Sequence, residues 1–235
     1  VYPVLYVLWL SFHRRILIFH ISRFVGLANY RFLWGDERFW NALQNTVYFT
    51  GVSVGLELVL GMAVALLLNR GFRGKGIMRS VILIPWAIPT VVSAKMWEWL
   101  YNPDFGLLNY LLGVRMNWLG NPFWALNAAI FMDVWKTTPF VALLLMAGLQ
   151  NISPDLYRAA RVDGASNWHI FKYITLPLLK PVILVVLIFR TLDAFRVFDA
   201  IYVLTGGGPA NTTETLSIYA YKVLFQTLQF GYGST

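Results

Sequence analysis

The apolar residues of this chain fall in long, nearly uninterrupted runs instead of the stripes or alternations typical of water-soluble proteins. Residues 43–68 contain a single charged side chain, Glu57, and residues 80–94 contain none. An α-helix needs about 20 consecutive, predominantly apolar residues to cross a bilayer. The pattern therefore predicts an all-α, polytopic bundle of transmembrane helices. Five membrane segments are expected, at about residues 1–12, 43–68, 80–101, 123–148 and 178–204.

The composition is that of a membrane protein. Of the 235 residues, 58% are hydrophobic and 13% are charged, whereas a soluble domain has about 25% charged residues. The net charge of +8 is explained by basic loops at a membrane surface, so no nucleic-acid partner is predicted. The absence of cysteine excludes disulfides and thiolate–metal sites. Because the chain begins inside a short apolar run and ends without a span, we interpret residues 1–235 as one transmembrane domain that is truncated at both ends.

The longest polar stretch, residues 149–177, carries the local signals of two short helices. Ser153–Pro154 is an N-cap followed by proline at the first helical position, and the helix is expected to run to about Val162. Asp163–Gly164 should break it, and Ser166 can cap a second short helix that ends near residue 171. Such a pair has no apolar core of its own, so it needs a partner to pack against; an ordinary ordered cytoplasmic loop is the alternative.

This stretch resembles the EAA loop of ABC importer permeases, whose pattern is Glu-Ala-Ala, then Asp-Gly-Ala three residues on, then Phe, Ile and Leu-Pro. The matching residues are Ala159, Ala160, Asp163, Gly164, Ala165, Phe171, Ile174, Leu176 and Pro177. The resemblance implies the type I ABC importer permease fold, with residues 149–177 as a cytoplasmic coupling loop that docks into a cleft of the ATPase. The residues implied in ATPase coupling are Arg158, Ala159, Ala160, Asp163, Gly164 and Ala165. Arg158 departs from the pattern, because the family has a glutamate there and the charge is reversed here.

Other stretches resemble the permeases that import maltose, trehalose and glycerol phosphate, specifically the first of their two permease subunits. These stretches are Phe24–Tyr30, Phe39–Thr46, Pro103–Asn109 and Val203–Pro209. The resemblance implies six spans, of which five are present, and a place in the cell membrane. It also implies a second homologous permease subunit, two ATPase subunits, an extracytoplasmic sugar-binding protein and a sugar substrate, with a disaccharide such as trehalose or maltose expected.

Charged residues also occur at membrane depth, where they are costly and usually face a bundle interior or a water-filled cavity. On the fifth segment Arg190, Asp193, Arg196 and Asp199 recur every three residues, a spacing that lets neighbours pair. One interpretation is that these charges only neutralise each other. The other is a sugar path, because the resemblance implies substrate contacts on the fourth and fifth segments. The residues concerned are Lys136, Thr137, Phe140, Arg190, Asp193, Ala194 and Val197.

No catalytic apparatus is readable in the chain. The glycine-rich run 71–76 only superficially resembles a phosphate-binding loop, since its spacing is wrong and no hydroxyl residue follows the lysine. ATP hydrolysis is therefore expected in a separate subunit. The histidines His13, His20 and His169 are scattered, so no metal site is predicted, and no cofactor is predicted either. Two alternatives stay open: an ion-coupled secondary transporter that uses Asp133, Asp193 and Asp199, and an ABC permease for another solute such as glycerol phosphate.

Overall fold

The computed structural model describes residues 1–69 and 73–235 and is predominantly helical. The helices are α1 (Tyr2–Ser11), α2 (Ala28–Trp34), α3 (Glu37–Asn69), α4 (Lys75–Ala87), α5 (Thr90–Leu100), α6 (Leu107–Leu112), α7 (Pro122–Gln150), α8 (Pro154–Val162), α9 (Asn167–Ile170), α10 (Leu176–Phe195), α11 (Asp199–Leu204), α12 (Leu216–Tyr221) and α13 (Phe230–Gly233). The strands are β1 (His13–Ile16) and β2 (Ile21–Phe24), and π-helical turns occupy Phe171–Thr175 and Lys222–Gln226. The glycine-rich run 71–76 lies partly outside the described residues.

Three helical stretches of the described chain are long and apolar enough to cross a membrane. These are α3, α7 and the run Asn167–Phe195, which joins α9 to α10. The pair α4 and α5 adds a fourth if it is one bent span, whereas α1 is an apolar helix of only 10 residues. The predicted all-α, polytopic membrane architecture is confirmed.

Two of the predicted membrane segments, 80–101 and 178–204, are interrupted in the structure. The first bends by 91° between α4 and α5, where Ile88 is extended because it precedes Pro89. The second ends at Phe195, and a separate helix begins at Asp199. In the gap, the hydroxyl of Thr215 donates a 3.3 Å hydrogen bond to the carbonyl of Val197, which compensates for the interrupted helical bonding.

One compact unit of the chain comprises residues 1–49, 97–129 and 196–235. It contains the antiparallel hairpin of β1 and β2, which the sequence analysis did not predict. The loop 205–215 is packed inside it: Thr213, Glu214 and Thr215 are fully buried, as expected for backbone that cannot face lipid. Glu214 accepts two hydrogen bonds from Arg38, at 2.6 and 2.7 Å, and forms an ion pair with Lys222 at 3.1 Å.

A hydrogen-bonded tyrosine pair holds Asp36 in the same unit. The hydroxyls of Tyr219 and Tyr232 donate to the same carboxylate oxygen of Asp36, at 2.5 and 2.8 Å. Partial burial acts to raise the pKa of Asp36, but these bonds and backbone N–H donors outweigh it and hold the pKa below its usual value. Burial together with its bond to Asp36 raises the pKa of Tyr232 to about 12.

The second compact unit comprises residues 50–96 and 130–195. Its core forms where α3, α7 and α10 meet, and the buried residues are Met62, Ala65, Val141, Leu145, Leu149, Ile152, Leu179 and Val186. Two glycines allow the close approach. A Cβ at Gly61 would lie 2.9 Å from the Cβ of Val141, and one at Gly148 would lie 2.8 Å from a methyl group of Leu179. Small residues are the usual means of close helix packing in membranes.

Candidate functional site: an exposed helix pair and a buried ion cluster

The predicted helix pair at 149–177 is present. α8 begins after Ser153, whose hydroxyl accepts a hydrogen bond from the backbone N–H of Asp155. It ends before Gly164, which adopts φ +78°, a conformation that favours glycine. The hydroxyl of Ser166 accepts from the N–H of His169 and caps α9. The caps and the break were readable because all three are local interactions.

The second helix of the pair does not end at residue 171 as predicted. The backbone passes from α9 through the π-helical turn Phe171–Thr175 directly into α10, so helical structure runs from Asn167 to Phe195. Pro177 therefore lies inside a continuous helical run, directly after the π-helical turn, where it cannot donate the backbone hydrogen bond of that position. α9 is one end of a run long enough to span a membrane, whereas α8 is separated from it by the break at Gly164.

α8 itself has no buried residue. Of the residues predicted to couple to an ATPase, Arg158, Ala159, Asp163 and Gly164 are exposed, and Ala160 and Ala165 are half-buried. Large apolar side chains beside them are also exposed, namely Val162, Leu156 and Trp168. An amphipathic helix with exposed apolar side chains is typical of a surface that packs against another molecule.

Arg158, which replaces the family's glutamate, has an acidic partner one turn earlier. Its Nη1 lies 2.9 Å from Oδ1 of Asp155, and the two side chains are 76% and 80% exposed. An exposed pair of this kind contributes little to stability, about 0–1 kcal/mol. The pair nevertheless places the negative charge of Asp155 next to the positive charge of Arg158.

A groove separates α8 from the ends of the neighbouring spans. It has a volume of about 620 Å³, and its walls are Leu66, Asn69, Leu149, Pro154, Tyr157, Arg158, Arg161, Asn167, Trp168, Ile170, Phe171 and Thr175. The hydroxyls of Tyr157 and Thr175 lie 3.3 Å apart and link α8 to the turn before α10. Tyr157 also packs against the apolar core of α3, α7 and α10.

Deep between the spans, Arg190 of α10 binds Glu57 of α3. Nε of Arg190 lies 2.6 Å from Oε2 of Glu57, and Nη2 lies 2.9 Å from Oε1, so the pair is bidentate. The two side chains are 4% and 0% exposed. The planar guanidinium matches a carboxylate at two points, which makes arginine the basic residue best suited to a buried pair.

Two further carboxylates and one hydroxyl complete this ion cluster. Nη1 of Arg190 lies 2.6 Å from Asp193, and Nη2 lies 3.3 Å from Asp133 of α7. The hydroxyl of Thr137 donates to Glu57 at 2.6 Å. The ion cluster, defined as Glu57, Asp133, Thr137, Arg190 and Asp193, therefore joins α3, α7 and α10, with one cation facing three acids.

The residues predicted to line a sugar path have different surroundings. Thr137 and Arg190 are held in the ion cluster, and Ala194 is buried. Val197 lies in the break after α10 and belongs to the first compact unit. Asp193 is 52% exposed. Phe140 is half-buried, with its ring stacked on Trp86 at a centroid distance of 5.5 Å.

Lys136 is the remaining member of that set. Its side chain is largely buried, and no ion pair to a described residue is found for it. A lysine stem commonly packs against apolar neighbours while its ammonium reaches a polar space. Of the predicted path residues, Lys136 and Phe140 lie outside the ion cluster, and Asp193 is the member of the cluster with the most exposed side chain.

Glu57 is the functional residue that sequence reasoning did not assign. Its partner Arg190 is 133 residues away in sequence, so no local spacing connects them. The signal that was present is its isolation, since it is the single charge in the run 43–68. A lone carboxylate at membrane depth requires a cation from another span.

Comparison with known proteins places this architecture in a family. Residues 57–232 match the family described as binding-protein-dependent transport system inner membrane component. The chain belongs to this family. It is therefore a multi-pass permease component and not an enzyme, and the predicted resemblance to ABC importer permeases is confirmed.

Curated members of the family are similar over nearly the whole chain. The trehalose/maltose transport system permease protein MalF of Thermococcus litoralis is 50% identical over 99% of this chain and 80% of its own length. The trehalose transport system permease protein SugA of Mycobacterium tuberculosis is 46% identical over 99% and 76%. The lactose transport system permease protein LacF of Rhizobium radiobacter is 36% identical over 100% and 81%.

Solved structures agree on the fold. A bacterial ABC transporter involved in the import of the acidic polysaccharide alginate has a chain that is 25% identical, with a TM-score of 0.86 over 100% of this chain and 82% of that one. An amino acid ABC transporter aligns with a TM-score of 0.58 at 17% identity, over 87% and 86% of the two chains.

Proposed function

We propose that this chain is the membrane-spanning permease subunit of an ATP-driven, binding-protein-dependent sugar importer, with a disaccharide such as trehalose or maltose as substrate. Its curated relatives at 50%, 46% and 36% identity are named for trehalose, maltose or lactose transport. In this proposal a second homologous permease supplies the other half of the pathway, and an extracytoplasmic binding protein delivers the sugar. The alginate importer solved with a pentasaccharide-bound periplasmic protein supports that arrangement.

The observation that carries the proposal is the open surface of α8. Arg158, Ala159, Ala160, Asp163, Gly164 and Ala165 form the segment that we propose docks on an ATPase subunit. Small side chains let a partner approach the backbone closely, and the exposed Val162 supplies apolar area to bury. We propose that the Arg158–Asp155 pair presents both signs of charge to the ATPase, where relatives with glutamate present one.

Hydrolysis of ATP is assigned to two separate ATPase subunits, because the sequence has no phosphate-binding loop. The chain would sit in the cell membrane with residues 149–177 on the cytoplasmic face. Force would then reach the spans along α10, since α9, the π-helical turn and α10 form one helical run.

For the sugar path we propose Lys136, Phe140 and Asp193 as the side chains that contact substrate. A ring stacked on Trp86 offers an apolar face, and the two charged groups can hydrogen bond to hydroxyls. Arg190 is instead proposed to position the helices, because its polar atoms are occupied by Glu57, Asp133 and Asp193. The ion pairs of Asp133 and Asp193 with Arg190 also weaken the ion-coupled alternative, in which these two aspartates would have to bind a transported cation.

The test is reconstitution. The chain would be co-purified with the second permease and ATPase subunits encoded beside it and placed in liposomes with the cognate binding protein. Uptake and ATP hydrolysis would be measured with trehalose, maltose, lactose and glycerol phosphate. Stimulation of both by a disaccharide is expected. Uptake that follows an ion gradient without ATP would refute the proposal, and stimulation by glycerol phosphate alone would correct the substrate class.

A further inference from the structure

A second, smaller groove lies within the unit formed by residues 50–96 and 130–195, away from the ion cluster. It has a volume of about 180 Å³ and is bordered by the last turn of α3, by α4 and by α7 after its proline. Seven of its lining residues are apolar and one is an arginine: Leu68, Ile82, Leu83, Pro139, Ala142, Leu143, Met146 and Arg79. The groove is thus an apolar groove whose lining includes one cation, Arg79.

The cation has no acidic counterpart there. No carboxylate lines the groove, and Arg79 forms no ion pair with any residue in the described ranges 1–69 and 73–235. Its Nε is shielded from solvent and lacks a hydrogen-bond partner there. A buried donor without an acceptor is unfavourable, so the groove is electrostatically matched to an anion.

The position along the membrane normal is set by the neighbouring segments. α3 and α7 both end on the side that carries residues 149–177, and Arg79 lies one turn inside α4 on that side. Residues 69–79 contain Arg70, Arg73, Lys75 and Arg79 and no acid. Clustered basic residues on the cytoplasmic side attract the anionic lipids of that leaflet.

The apolar wall of the groove continues along α4 beyond Arg79. Ile82 and Leu83 lie about one turn further along the helix, on the same face as Arg79, and both line the groove. Moving along this face from Arg79, a ligand would therefore meet a cation first and aliphatic side chains next, which is the order of groups in a phospholipid.

We propose that this groove binds an anionic phospholipid, with its phosphate at Arg79 and an acyl chain against the apolar wall of α4 and α7. The proposal rests on the proposed cytoplasmic placement of residues 149–177 and not on the identity of the transported sugar. Arg79 contributes the charge, and Leu143, an exposed residue of α7 that lines the groove, contributes to the apolar wall.

The test uses the full chain purified with its partner subunits in nanodiscs of phosphatidylcholine with a minority of phosphatidylglycerol. Native mass spectrometry after mild delipidation counts the retained lipids. Wild type should retain phosphatidylglycerol preferentially. Arg79→Gln should reduce that retention roughly tenfold, which corresponds to about 1.4 kcal/mol, because the charge-assisted hydrogen bond to the phosphate is lost. Leu143→Trp, which obstructs the groove and keeps the charge, should also reduce it.

The matched control is Arg73→Gln, which removes one exposed cation of the same loop outside the groove. Retention within twofold of wild type is expected. Equal losses for Arg73→Gln and Arg79→Gln would show diffuse attraction and overturn the site, as would retention unchanged by Arg79→Gln. Displacement of the lipid by inorganic phosphate alone would assign the groove to soluble anions and also overturn it.

A photocrosslinking amino acid at Leu83, which lines the groove, separates a lipid from a protein occupant. A mass increase equal to one phospholipid is expected in the assembled complex. An adduct with a partner subunit would mean that protein covers the groove, and the proposal would fail. Gel filtration of each variant complex ensures that only assembled protein is compared.

Discussion

Removal of the Arg190 guanidinium should destabilise the protein more than removal of one of its acidic partners. Arg190→Met leaves the carboxylate of Glu57 fully buried without its bidentate cation, although the hydroxyl of Thr137 still donates to it. Breaking a buried ion pair in this way costs about 3–5 kcal/mol. Glu57→Gln should cost about 1–3 kcal/mol, because its amide oxygen still accepts from Arg190, and Asp133 and Asp193 still balance the charge.

Two further variants make the comparison specific to burial. Asp193 binds the same guanidinium at 2.6 Å but is half-exposed, so Asp193→Asn should cost only about 0–1 kcal/mol. The double variant Glu57→Leu with Arg190→Met removes the stranded carboxylate together with the cation. It should therefore be more stable than Arg190→Met alone, since replacing a buried pair by apolar residues is often neutral.

The assay is the free energy of unfolding of the purified chain in lipid–detergent micelles, measured by steric trapping, with uptake measured on the same variants. A non-additive double variant gives the coupling between Glu57 and Arg190 directly. Equal losses for Arg190→Met and Asp193→Asn would refute the reasoning, because burial would then have no effect. A double variant whose loss equals the sum of the losses of Glu57→Leu alone and Arg190→Met alone would refute it as well.

Further predictions concern the coupling segment, the sugar path and Asp36. Gly164→Leu should lower uptake and sugar-stimulated ATP hydrolysis roughly tenfold in an assembled complex, because a φ of +78° costs a residue with a side chain about 1–2 kcal/mol. Arg158→Glu should weaken coupling, because it places a second carboxylate beside Asp155; faster sugar-stimulated hydrolysis would contradict this. Lys136→Ala should lower uptake more than it lowers the amount of protein in the membrane, and equal losses would indicate a structural role. Asp36→Asn should lower the melting temperature at pH 7, and the difference should begin to shrink as the pH falls below about 4 and vanish once the pH is below the lowered pKa of Asp36, because this carboxyl stabilises the fold only while ionised.

Matched controls separate these effects from general damage. Gly164→Asn should retain more activity than Gly164→Leu, since asparagine tolerates the left-handed region better than other residues. Arg158→Gln removes the charge without reversing it and should fall between wild type and Arg158→Glu. Lys136→Arg should preserve uptake if charge alone is needed there. If the melting temperatures of wild type and Asp36→Asn differ by the same amount at pH 7 and at low pH, the ionised carboxylate of Asp36 does not stabilise the fold.

Local signals in the sequence were sufficient to predict the helix pair at residues 149–177. Ser153 and Ser166 cap helices that begin at the next residue, and Gly164 forms the break between them. Each interaction connects residues within four positions of each other, so no knowledge of the rest of the fold was needed. The pairing of Arg158 with Asp155 at i−3 has the same local origin.

The ion cluster could be predicted only in part. The i, i+3 spacing of Arg190 and Asp193 indicated their pair, and the structure contains it. The spacing gave no information about Glu57 or Asp133, because those partners reach Arg190 through the packing of three spans. Long-range geometry also explains the missed interruption after Phe195: the compensating hydroxyl comes from Thr215, 18 residues away from the carbonyl that it binds.

The ion cluster and α9 share one helical run, and this limits where the permease can bend. From Asn167 to Arg190 the run covers 24 residues, about 36 Å at 1.5 Å per residue, and it contains the π-helical turn Phe171–Thr175. At the cluster the guanidinium binds α3 and α7, and separating it from Glu57 would cost about 3–5 kcal/mol. The parts of these three spans that meet at the cluster should therefore move together. Bending is least costly where the regular helical bonding is already interrupted, at the π-helical turn, at Ile88–Pro89 and at residues 196–198, and we expect the motions of transport to concentrate at those three places.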